Sequence, residues 1–261
     1  MNISSKDNLI TKSNVLPLWL YFVAITIAEL VTIFYYPWAG LICHGLILIS
    51  FLIQPLFSSN PEQRDLLLGL CLIPLIRIIS LSLPLMQLPQ IYWYPFIYIP
   101  LLAATIVVIR TIGLKPGEIG LVIRSLPLQI ILGIITGAAI GILEYLILKP
   151  EPLITSLSWQ YIWLPAIILI TTTGLVEELI FRGVLQRLAE PAMGFAGIIY
   201  ISLIFAILHV GFFSILDVIF VLIISLVFAA IVKKTGSIIG VILSHGIANC
   251  MLFLVAPFIL S

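Results

Sequence analysis

The sequence predicts an all-α fold, a polytopic transmembrane helical bundle of eight or nine spans. Three observations predict it. Hydrophobic residues make up 62% of the chain and charged residues 9%, with a mean hydropathy of +1.28; a soluble globular chain carries about 25% charged residues. Apolar runs recur along the whole length, and a run of about 20 such residues is enough to cross a bilayer. No polar linker separates soluble domains, and no basic patch points to nucleic acid.

Met1–Asn14 is polar and carries Lys6 and Lys12. Apolar segments follow at 15–36, 38–57, 66–87, 93–111, 126–148, 161–181, 194–210, 213–232 and 238–260. That is nine by hydropathy; the very short connections within 15–57 and 194–232 leave eight open. The first run is long and lacks a small-residue cleavage site, so it is expected to stay as a span. Gly133, Gly137 and Gly141 fall four apart in the fifth run, a spacing that lets two helices approach closely. Cys43, Cys71 and Cys250 lie in apolar runs, without the spacing of a disulfide framework or a metal site.

Short cytoplasmic loops are rich in Lys and Arg. With the N-terminus inside, the inner segments hold Lys6, Lys12, Arg64, Arg110, Lys115, Arg124, Arg182, Arg187, Lys233 and Lys234, and the outer loops only Lys149. The expectation is a multi-pass membrane protein with a cytoplasmic N-terminus and, with nine spans, an outer C-terminus. Ile112–Ser125 is expected to be a cytoplasmic connector lying along the interface as an amphipathic segment. The division expected is 1–125, N-terminal helices and connector, and 126–261, the catalytic core, with its chemistry in the last four spans.

Ionisable groups at membrane depth are costly and mark functional candidates. Glu177, Glu178 and Arg182 lie within six residues of one apolar segment. Residues four apart share a helix face, so Glu178 and Arg182 are expected to pair. Glu177 points elsewhere and is the candidate free carboxylate, able to act as a general base toward water. A purely structural ion cluster is the competing reading. His209 ends Phe205-Ala206-Ile207-Leu208-His209, and His245 and Asn249 share a face of a later helix. Histidine moves protons near neutral pH, and a fixed amide can donate to a developing oxyanion. Glu29, Arg77, Glu144 and Asp217 are read as structural pairs, with Arg77 joined to Glu29 or Glu144 and substrate binding as the minority reading, and His44 as an interior or interfacial residue.

Depth imposes a condition on this set. At about 1.5 Å per residue, His245 and Glu177 meet His209 only if the helix of Glu177 continues to about Leu188. Phe181–Leu188 is therefore expected to be helical and partly embedded, with Arg182 internal. The cavity is expected to open toward the cytoplasm.

Glu177-Glu178-Leu179-Ile180-Phe181-Arg182 resembles the EExxxR motif, Phe205 to His209 resembles FxxxH, and His245 to Asn249 resembles HxxxN. Thr235-Gly236-Ser237 is similar to the TGS segment of the same family. The family is the CAAX protease and bacteriocin-processing group of intramembrane endopeptidases, which includes the type II CAAX prenyl protease. The resemblance covers roughly residues 160–250. It implies that Glu177 activates water with help from His209, that Glu178 orients the site with His245 and Arg182 braces it, and that Asn249 with His245 holds the oxyanion. It implies no required cofactor; the zinc alternative would use Glu177, His209 and His245. The partners implied are the bilayer and a membrane-associated peptide or prenylated protein. A non-catalytic scaffold or immunity protein of the same family is the alternative. A transporter using the same acids expects polar residues through the whole bilayer, whereas here they cluster in the last four spans.

Overall fold

The computed structural model describes residues 15–260; Lys6 and Lys12, used in the orientation argument, lie outside them. Nine helices among the described residues are long and apolar enough to cross a membrane. They are α1 (Leu16–Phe34), α2 (Pro37–Phe57), α3 (Pro61–Ser82), α4 (Gln90–Ile112), α5 (Leu126–Leu148), α6 (Trp159–Met193), α7 (Phe195–Phe212), α8 (Ile215–Thr235) and α9 (Ile239–Ile259). No strand occurs among the described residues. Large apolar side chains such as Ile42, Leu46 and Ile49 face outward, as lipid-facing helix surfaces require. The bundle is a multi-pass membrane protein.

Local sequence chemistry sets many helix ends. Pro17, Pro37, Pro61 and Pro127 sit in first turns, where the missing N–H costs nothing. The Asn60 side chain caps α3, accepting from the backbone N–H of Glu62 at 2.9 Å. Gly113 and Gly236 take left-handed conformations at the ends of α4 and α8. Gly194, with φ +63, breaks the chain between α6 and α7, which gives two spans there.

The connector after α4 is a series of turns. Pro116, Gly117 and Gly120, with φ +73, oppose a helix there. Ile119 is buried, and the Gly120 carbonyl accepts from the Ile238 N–H at 3.0 Å. Ser237 donates its hydroxyl to the Val122 carbonyl at 2.8 Å. The connector is therefore folded onto the turn that starts α9.

Two glycine contacts bring the last helices together. A Cβ on Gly137 of α5 would lie 2.5 Å from the Ser244 carbonyl oxygen of α9. On the other side of α9, a Cβ on Gly174 would lie 2.8 Å from the Ile242 oxygen, and one on Gly246 2.8 Å from the Ile170 Cα. Contacts this close exclude any larger residue without a helix shift. Helix α9 is thus held between α5 and α6, with His245 directed at α6.

Candidate active site

Helix α6 runs unbroken past Glu177 and Glu178, as the depth argument required, and Arg182 is buried. Its central part has π-helical windings at Ile170–Glu177 and Leu179–Leu185. Such wide turns concentrate at functional sites. The spacing of motif residues cannot reveal them.

Glu178 is the hub. It is wholly buried, and its Oε1 accepts from His245 Nδ1 at 2.7 Å and from Arg182 Nη1 at 3.1 Å. The second Arg182 nitrogen, Nη2, donates to Ser225 Oγ at 3.0 Å. The guanidinium also sits 4.5 Å from the centre of the Phe205 ring, a cation–π contact. The Glu178–Arg182 pair expected from helical spacing is therefore present, and His245 joins it. A buried carboxylate with two such partners is a fixed support for the imidazole.

With Nδ1–H of His245 given to Glu178, its Nε2 turns toward Glu177 Oε2, 3.9 Å away. Glu177 lines a cavity of about 230 Å³ together with Tyr98, His209, His245 and Asn249. It is not entirely free: the Tyr98 hydroxyl, from α4, donates to Glu177 Oε1. His209 Nδ1 donates to the Phe205 carbonyl at 2.9 Å, which leaves Nε2 as its unused ring nitrogen. Phe205 itself packs on Arg182, Phe181 and the His245 ring.

Asn249 donates Nδ2 to Thr173 Oγ1 at 2.8 Å. The Thr173 hydroxyl hydrogen is already given to the Leu169 carbonyl at 2.6 Å. Thr173 can then only accept, so the amide must present its nitrogen. One hydrogen of that NH₂ remains for the cavity.

All seven sequence-selected residues, Glu177, Glu178, Arg182, Phe205, His209, His245 and Asn249, are brought into or directly behind one cavity. Tyr98, Thr173 and Ser225 were not selected. A tyrosine or hydroxyl residue in an apolar span gives no periodic signal, and their partners lie 79, 76 and 43 positions away. Among the described residues, no three His, Cys, Asp or Glu side chains are grouped as a metal ion needs. The zinc set of Glu177, His209 and His245 does not fit that requirement.

Two polar expectations need correction. Arg77 does pair with Glu29, its Nε donating at 2.8 Å, and His44 Nε2 lies 3.3 Å from the same carboxylate. Among the described residues Glu144 and Asp217 form no salt bridge, so the structural pairing expected of them is not found; His245 acts on Glu144 only at longer range. Tyr94, Glu144, His209 and Phe212 line the cavity from helix halves remote from the basic connections at Arg110–Arg124 and Lys233–Lys234. Phe181, Phe205 and Phe228 line it beside Arg182.

No curated protein and no solved structure matches the chain. Residues 158–251, which contain all three motifs, match the family model described as type II CAAX prenyl endopeptidase Rce1-like, the family that the motifs resemble.

Proposed function

We propose that the protein is an intramembrane endopeptidase that cleaves a membrane-associated peptide or prenylated protein with a water activated by Glu177. The observation that carries this reading is the convergence of Glu177, the Glu178-supported His245, His209 and the Thr173-fixed Asn249 on one cavity inside the bundle.

In this reading Glu177, held by Tyr98 and facing His245 Nε2, takes a proton from water as its oxygen attacks the scissile carbonyl carbon. His209 Nε2 helps to hold that water. The carbonyl π pair moves to oxygen, and the free Asn249 hydrogen and His245 Nε2–H donate to the oxyanion. The tetrahedral adduct then collapses, the C–N bond breaks, and the proton on Glu177 passes to the leaving amine. The reaction proposed has no metal or other cofactor. The reacting groups belong to 126–261, and the first four spans act as supports through Tyr98 and Arg77. In this reading the N-terminus lies on the cytoplasmic side, which the basic connections support.

The test is cleavage of a farnesylated C-terminal peptide and of membrane-anchored peptides by the purified protein in detergent. Wild type should cut at least one, and Glu177→Gln, His209→Ala and His245→Ala should each lose at least a hundredfold in kcat, about 2.7 kcal/mol. Activity should survive a chelator. Variants that cut as well as wild type would move the protein to the scaffold reading.

A further inference from the structure

The cavity contains a carboxylate that the proposed reaction leaves unused. Glu144 of α5 lines the same space as Glu177, His245 and Asn249, and only 9% of its surface is exposed. Among the described residues it makes no hydrogen bond and no ion pair. Asp217, in the first turn of α8, is wholly buried, and neither of its carboxylate oxygens has a hydrogen-bond partner. The charges of Asp217, His245 and Glu177 all act on Glu144, His245 alone as a cation.

The protein's own cations near the cavity are already committed. Arg77 is bound to both oxygens of Glu29 and to the Leu208 carbonyl. Arg182 is bound to Glu178 and Ser225, and His245 to Glu178. An unpaired carboxylate at membrane depth costs several kcal/mol, so a cation brought in beside Glu144 would stabilise its ionised form. Tyr94, Leu252 and Phe253 line the same cavity. Apolar and aromatic surface of this kind suits the methylene stem of a basic side chain and a cation over a ring.

We propose that Glu144, backed by Asp217, is a subsite for a basic residue, lysine or arginine, of the peptide that enters the cavity. The subsite rests on the peptidase reading for what enters, but its test needs no cleavage. Binding is measured with the Glu177→Gln protein in detergent and fluorescent farnesylated peptides. A single lysine is moved stepwise through the last eight residues and compared with norleucine at each position. Lysine at one position should bind about tenfold more tightly than norleucine, the scale of a charge-assisted contact. The added Glu144→Gln change should bring that ratio close to one, and Asp217→Asn should lower it.

Equal binding of lysine and norleucine peptides at every position, absence of binding included, overturns the subsite. So does a lysine preference that survives Glu144→Gln; if that variant does not fold, a preference unmoved by Asp217→Asn decides against it. A lysine peptide that binds with this preference but is never cut by wild type overturns the peptidase reading and leaves the subsite standing.

Discussion

Arg77 donates from Nη2 to the carbonyl oxygen of Leu208 at 2.5 Å, so α3 holds the residue that immediately precedes His209. The same guanidinium is fixed by both oxygens of the fully buried Glu29. A helix outside the matched segment thus positions a group of the candidate site. Arg77→Ala should lower kcat at least tenfold and lower the melting temperature in detergent, because removing one member of a buried pair costs about 3–5 kcal/mol. Pairing the change with Glu29→Gln should restore part of the melting temperature without restoring kcat. Recovery of both would reduce Arg77 to a structural role.

Tyr98→Phe removes one hydroxyl that donates to Glu177 and leaves the ring in place. A hydrogen bond to a charged group is worth about 1.5–3 kcal/mol. Steady-state kinetics should show kcat about ten- to a hundredfold lower with KM little changed. A change confined to KM would place Tyr98 against the substrate and away from the reacting carboxylate.

The Asn249 amide depends on Thr173 as its only acceptor among the described residues. Thr173→Val keeps the shape and deletes the oxygen, leaving a buried donor unmet at a cost of about 1–3 kcal/mol. Activity should fall roughly five- to a hundredfold, and Thr173→Ser should recover most of it. No recovery with serine would show that packing of the threonine methyl matters more than the hydroxyl.

Gly246 lies between His245 and Asn249, with its Cα facing the backbone of Ile170. Gly246→Leu should force α9 away from α6, separate His245 from Glu178 and abolish activity. Gly45, beside which there is open space, is the matched control: Gly45→Leu should leave both folding and cleavage near wild type. Size-exclusion profiles and kcat for the two variants check this.

Reading the chain alone gave the membrane class, the nine apolar segments and the motif residues. These are written in local quantities: hydropathy over one helix length, and residue types at spacing three or four. Glu178 and Arg182 pair because four residues bring a helix face round again, whatever lies beyond it. The long α6 was legible too, since only an extended helix lets Glu177 reach His245. What the chain alone left open is which helix faces which. Tyr98 meets Glu177 and Arg77 meets Leu208 across long sequence separations, and no periodicity records such contacts. The partner of Arg77 was narrowed to Glu29 or Glu144 but chosen only by packing. The π-helical turns in α6 and the glycine contacts on both sides of α9 were likewise decided in three dimensions. Close helix approach is a property of two surfaces, and a single run of sequence describes only one.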